Sequence, residues 1–298
     1  MGNLKNRQSL IGSGMLLLAA IIWGCAFVAQ SVAMDHIGPF SFGSLRFFMG
    51  ALVLLPVILL RKKREIHAPT RPRDALLGGA VCGGLLFLAS SAQQIGLMYT
   101  TVGKSGFITA LYVVLVPLVG FVLFRRRVSP LLVVGALAAV VGLYLLCGEN
   151  GFSVNHGDAY TLACAFLFAA QILAVDHFVT RVDGVLLSCL QFVMSGILNG
   201  ITAWITEPSL SWQAVAATWL PLCYTGVLSS GVAYTLQILG QKRTPPAVAS
   251  LLMSLESVFA VLAGAVILLQ WPTPREAVGC AVMFAAVILA QVPTKSRT

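Results

Sequence analysis

The sequence predicts an all-α integral membrane protein, ten transmembrane helices arranged as two inverted five-helix repeats. Three observations predict this class. Of 298 residues, 58% are hydrophobic and 10% charged, at a mean hydropathy of +0.91. A soluble domain carries roughly 25% charge, so this chain is solvated by lipid. Its apolar residues fall in ten runs, each near the about 20 residues an α-helix needs to cross a hydrocarbon core about 30 Å thick. The runs are continuous, unlike the alternating segments of about ten residues in a β-barrel. Finally, AQSVAMDH (Ala29 to His36) returns as AQILAVDH (Ala170 to His177), with five of eight letters the same and an offset of 141.

The first span, 11–33, follows a short basic segment, lacks an A-x-A cleavage pattern and so reads as retained; it holds Trp23 and Gln30. The second, 40–60, carries Arg46 about six residues from its start and stops at the basic run from Arg61 to Arg64. Span three, 75–98, gathers Ser90, Ser91, Gln93 and Gln94 near its end, and span four, 103–124, holds Thr109, Tyr112 and Pro117 before Arg125 to Arg127. Spans five, 129–148, and ten, 275–292, begin beside Pro130 and Pro274 and hold almost no polar residues, which places them at the periphery. Span six, 157–178, contains Gln171, and span seven, 184–206, contains Gln191. The eighth, 213–240, carries Pro221, Tyr234, Thr235 and Gln237; the ninth, 246–269, carries Ser250, Ser254, Glu256 and Ser257.

Basic residues set the orientation, because Lys and Arg accumulate in cytoplasmic loops. With the N-terminus inside, 16 of the 19 Lys and Arg fall in inner segments, and only Lys104 and Arg275 in outer ones. Outer segments hold Asp35, Glu149, Asp158, Glu207 and Glu276 instead. Both termini are therefore expected in the cytoplasm, at an inner or plasma membrane. The net charge of +9 in this setting reads as loops facing anionic lipid rather than nucleic acid.

The duplication extends beyond one motif. RFFMGA (46–51) meets QFVMSG (191–196) at an offset of 145, Gln94-Ile95 meets Gln237-Ile238 at 143, and Pro130 and Gly135 meet Pro274 and Gly279 at 144. Residues 1–150 and 151–298 read as two copies of five spans each. Five is odd, so the second copy enters the membrane from the opposite side. Inverted halves can exchange conformations around a midplane site, the architecture of a secondary transporter.

The stretches AAIIWGCAFVAQ, SGFITALYVVLVPLVGFVLF and PPAVASLLMSLESVFAVLAGAVILLQWPTPREAVGCAVMFAAVIL, in this order and spacing, resemble the EamA branch of the drug/metabolite transporter superfamily over essentially the whole chain. The sequence departs from that family's acidic turn after the ninth span, where Leu269-Gln270-Trp271 stands. The resemblance implies an alternating-access carrier in the inner or plasma membrane that exports a small metabolite such as an amino acid, with sugar or nucleotide derivatives as the other substrate class. It implies no cofactor and no ATP site, and no G-x-x-x-x-G-K-[ST] occurs.

Charges inside spans are costly, so each is a functional candidate. Glu256 leads: it lies ten residues into its span, its copy-related position is the apolar Val113, and Ala249, Ala260 and Ala263 share its helical face. Its two readings are a proton or coupling-ion site and a structural acid. Arg46, whose counterpart is Gln191, either meets an anionic group or snorkels to headgroups. Trp23, Gln30, Gln94, Thr109, Tyr112, Gln171, Tyr234, Gln237 and Ser254 complete a candidate binding set, and the polar ends of spans three and eight read as two related gates. The expected partners are a small-molecule substrate, a coupling ion and the bilayer, with the chain a monomer or weak homodimer. A passive pore and a membrane-embedded enzyme are the competing classes, but no nucleophile-and-base set or diacid occurs at membrane depth. The seven cysteines lie in apolar stretches without C-x-x-C, so neither metal nor disulfides are expected.

Overall fold

The computed structural model describes residues 2–63, 70–100, 102–125, 130–146, 156–267, 269 and 271–291. The sequence readings that fell on Arg64, Arg126, Arg127, Cys147, Glu149, Gln270, Lys295 and Arg297 lie outside them. The described residues are almost wholly helical and contain no strand. Among them eight helices are long and apolar enough to cross a membrane, and Pro130–Leu145 is a further, shorter apolar helix.

The first half consists of α1 (Gly2–Met34), α2 (Pro39–Lys63), α3 (Pro72–Leu97), α4 (Val102–Ala110), α5 (Tyr112–Phe124) and α6 (Pro130–Leu146). The second consists of α7 (His156–Phe178), α8 (Gly184–Thr206), α9 (Trp212–Ala217), α10 (Trp219–Cys223), a π-helical segment (Tyr224–Tyr234), α11 (Thr235–Gln241), α12 (Pro246–Met253), α13 (Glu256–Ile267) and α14 (Pro274–Gln291). α1 packs on the π segment, α11 and α13; α2 lies along α8; α3 rests on α7 and α8; and α6 pairs with α14. α3 comes close because its glycines leave room: a Cβ on Gly83 would stand 2.6 Å from Met194 Cβ and 2.7 Å from the Gln191 carbonyl oxygen. The outward surface is apolar, with Leu52, Leu59, Leu76, Phe121 and Val266 all exposed.

Three expected spans are not single uninterrupted α-helices. The fourth tightens between α4 and α5, where Leu111 N donates to Ile108 O (3.2 Å) and Val114 N to Leu111 O (3.0 Å), both i→i−3 bonds. The ninth does the same between α12 and α13, through Leu255 N to Leu252 O (3.3 Å) and Ser257 N to Ser254 O (3.2 Å). In that span the Ser250 and Ser254 hydroxyls donate to the carbonyls of Ala247 and Leu251, a local competition that bends helices. The corresponding bonds of the two tightened turns lie 143 and 144 residues apart, within the range of offsets of the sequence repeat. The eighth span is divided at Thr218, and its middle is the π segment, the wide coil that concentrates at functional sites.

Two carboxylates pin α2 to α8, one at each end. Asp183 caps α8, its Oδ1 accepting from the amides of Val185 and Leu186, while Oδ2 accepts from Arg61 Nη2 of α2 at 2.9 Å. At the other end Glu207, just past α8, accepts the amides of Phe40 (2.7 Å) and Ser41 (2.9 Å) in the first turn of α2. α2 and α8 therefore run antiparallel.

Candidate functional site

The tightened turns deliver the central pair of side chains. Tyr112 opens α5 and Glu256 opens α13, and the Tyr112 hydroxyl donates to Glu256 Oε1 at 3.0 Å. Both are buried. Ser257 next door donates to the Gly106 carbonyl oxygen at 3.1 Å, holding α13 against α4. Glu256 and Tyr112 face one cavity, whose other walls come from α1, α2, α3, α7, the π segment, α11 and α12. Its volume is about 40 Å³, room for about three waters at roughly 10–15 Å³ each.

Arg46 reaches this cavity from α2. Its Nη1 donates to Gln30 Oε1 of α1 at 2.6 Å, and its guanidinium lies over the Phe47 ring at 4.6 Å and the Phe42 ring at 5.7 Å. It is 3% exposed, its Nε has no partner, and no carboxylate pairs with it among the described residues. Tyr234, from the end of the π segment, lies within electrostatic reach of both Arg46 and Glu256.

Aromatic faces form the rest of the wall. Trp23 Nε1 donates to the Ser229 carbonyl oxygen at 3.2 Å, and the Trp23 ring meets Tyr234 edge-on, centroids 4.8 Å apart. Tyr224, which opens the π segment, donates to the Ile22 carbonyl oxygen at 2.9 Å. These two bonds satisfy the polar atoms of Trp23 and Tyr224 and fix the π segment against α1.

Of the residues proposed from sequence, Trp23, Gln30, Arg46, Tyr112, Tyr234, Gln237 and Glu256 line the cavity. Gln171 stands behind Gln237 in a chain of amides: Gln237 Nε2 donates to Gln171 Oε1 (3.1 Å) and Gln171 Nε2 to Gln191 Oε1 (3.3 Å). The other three do not join the lining. Thr109 meets Cys164 Sγ at 3.9 Å, Ser254 is turned to the Leu251 carbonyl, and Gln94 is buried with neither amide atom partnered. The polar ends of spans three and eight, expected as separate gates, instead converge, since Gln93, Tyr234 and Gln237 share this one cavity. Ser91 is turned to Asn199 Oδ1 and Thr235 to the Gly231 carbonyl.

The candidate set missed Phe27, Gln93, Phe168, Ile172, Ser229 and Met253 in the lining. One signal for two of them was present. Phe27 and Phe168 stand 141 residues apart, the offset of the repeated motif, and both face the cavity. Gln93 adjoined a residue already chosen, whereas nothing marks Ile172 or Met253 among so many apolar neighbours.

A family model described as EamA-like transporter family matches the chain twice, over residues 10–148 and 155–291. A protein of Archaeoglobus fulgidus, named only as an uncharacterized transporter, is 32% identical over 274 residues, covering 92% of this chain and 83% of that protein. The uncharacterized transporter YwfM of Bacillus subtilis is 22% identical over 97% of this chain and 96% of its own length. A solved crystal structure superposes with a TM-score of 0.79 at 23% identity, covering 96% of this chain and 97% of that one, a likeness of fold.

Proposed function

Since the chain belongs to the EamA-like transporter family, we propose that it is a secondary carrier. In this reading it exports a small metabolite, such as an amino acid or related compound, by alternating access. The observation that carries this reading is the meeting of Tyr112 and Glu256 at one buried cavity, each placed there by a helix break at equivalent points of the two halves. Discontinuous helices meeting at the interface of two repeats are the usual binding site of secondary transporters. The double family match supports residues 1–150 and 151–298 as the two repeats, and five spans in each make them inverted. The cavity is about 40 Å³ in this structure, and substrate enters when the halves rock apart.

Glu256 is the coupling group. A carboxyl in a low-dielectric cavity can shed its charge by taking a proton, and Tyr112 orients it. The other titratable groups lining the cavity are Tyr234 and Arg46. The test is transport in proteoliposomes without ATP, read as saturable uptake and counterflow across a panel of amino acids, sugars and nucleotides. Wild-type rate is expected to follow pH and Glu256→Gln to abolish that dependence. A Glu256→Gln rate that tracks pH as wild type does removes the coupling role; ohmic conductance without counterflow removes the carrier.

A further inference from the structure

Beside its two tyrosines the cavity is faced by one acid, Glu256, and one base, Arg46, and these differ in what they require. Glu256 can exist neutral, and Tyr112 already satisfies one of its oxygens. Arg46 has no such escape, because a guanidinium remains charged throughout the accessible pH range. A buried cation without an anion is expensive in a membrane interior. Around Arg46 the described residues supply one amide oxygen, from Gln30, and two phenyl rings, but no carboxylate. Its Nε is buried and unpartnered. What this wall lacks is negative charge from outside the chain.

The rest of the wall limits what can bring that charge. Trp23 has spent its donor on Ser229, so it offers only ring surface. Phe27, Phe168, Ile172 and Met253 add apolar faces. A hydrated inorganic ion would leave these surfaces unused, whereas a molecule with a carboxylate at one end and a flat apolar body matches both parts.

We propose that Arg46 and Gln30 form an anion subsite, and that the transported substrate is a small organic acid whose carboxylate lies on the Arg46 guanidinium and whose apolar body lies against the Trp23 and Phe168 side of the cavity. This rests on the reading of the cavity as the transport site. Gln30 is the positioning residue: by accepting from Nη1 it fixes the plane of the guanidinium, leaving the Nε edge for the carboxylate. Two donors on one planar fork suit a carboxylate in a way that a lysine ammonium does not.

The test is thermal unfolding and calorimetric titration of the detergent-purified full chain with benzoate, phenylacetate and hexanoate. Benzamide, benzylamine, phenylalanine and inorganic phosphate serve as the comparison set. At least one of the three acids should raise the unfolding midpoint saturably, and benzamide and benzylamine should not. Arg46→Gln should weaken acid binding at least about tenfold. Arg46→Lys and Gln30→Leu should each weaken it several-fold, and they decide the matter if Arg46→Gln does not fold. The proposal is overturned if none of the acids binds at millimolar concentration. It is equally overturned if benzylamine or phosphate binds and the acids do not, if phenylalanine binds as tightly to the Arg46 variants as to wild type, or if acid affinity survives in all the Arg46 and Gln30 variants. In that last case Trp23→Ala and Glu256→Gln separate two failures. Loss of binding in these leaves the cavity as the site without an anion subsite at Arg46, and retention in every variant removes the cavity reading as well.

Discussion

At the scale of single residues, the hydrogen bond between Tyr112 and Glu256 joins the two halves at their most costly point. Tyr112→Phe removes a donor from a buried acid while keeping the ring, so the loss is that of one charge-capable hydrogen bond. A destabilisation of about 1–3 kcal/mol is expected, read as a lower midpoint in detergent, together with a lower transport rate. Tyr112→Phe with wild-type stability and rate would show the contact to be incidental. Glu256 was legible in the sequence because a carboxylate stands out in an apolar span. Tyr112 was legible as a polar residue, yet its partner was not, since the two are 144 residues apart and no local pattern joins them. The aromatic lining was hidden for another reason: Phe27 and Phe168 differ from the lipid-facing phenylalanines only in direction. The repeat offset alone picks them out.

At the scale of elements, the helices themselves were readable from hydropathy, but their interruptions were not. An i→i−3 turn at Leu111 or Ser254 changes the path of the backbone without changing the apolar composition, so a count of apolar residues passes over it. Serines at 250 and 254 mark one interruption after the fact, through their bonds to Ala247 and Leu251; at Leu111 the apolar neighbours in the sequence carry no such mark. The clamps at the two ends of α2 and α8 have separable strengths. Glu207 satisfies two free amides of the α2 N-terminus, where negative charge also meets the helix dipole. Glu207→Ala should therefore cost about 1–2 kcal/mol. Gly38→Ala should destabilise as well, because an added methyl group collides with the Glu207 carboxylate. At the opposite end Asp183→Ala removes both a cap and an ion pair, while Arg61→Ala removes the pair and leaves the cap in place. Arg61 is about one-third exposed, so a double-mutant cycle should assign the pair only about 0.2–1 kcal/mol, with the cap the larger share. A coupling well above that range would mean the pair holds α2 and α8 together more than the cap does. All four variants are compared by chemical unfolding in detergent.

At the scale of the whole molecule, the proposed inversion makes a prediction that the charge pattern and the tryptophans reach independently. Trp204 ends α8, Trp212 and Trp219 begin the return toward α11, and Trp271 follows α13; all four are more than half exposed. Crossings alternate, so these four tryptophans share one side of the bundle. Tryptophan settles at membrane interfaces, and this is the side that the basic residues avoid: Arg61, Arg181, Lys242 and Arg243 lie at helix ends on the other. The proposed five spans per copy, with the basic ends in the cytoplasm, would place both chain termini there and the tryptophan belt outside. Reporter fusions at residues 1 and 298 should then behave alike, fluorescent as green fluorescent protein and inactive as alkaline phosphatase. In a cysteine-free background, a cysteine at Glu207 or Ser209 should react in whole cells with a maleimide that cannot cross the membrane, and one at Arg181 or Arg243 should react only after lysis. Termini reporting from opposite sides would require an odd total of crossings. That would remove the inversion, and with it the symmetry that lets a pair of equivalent helix breaks serve one site from two directions.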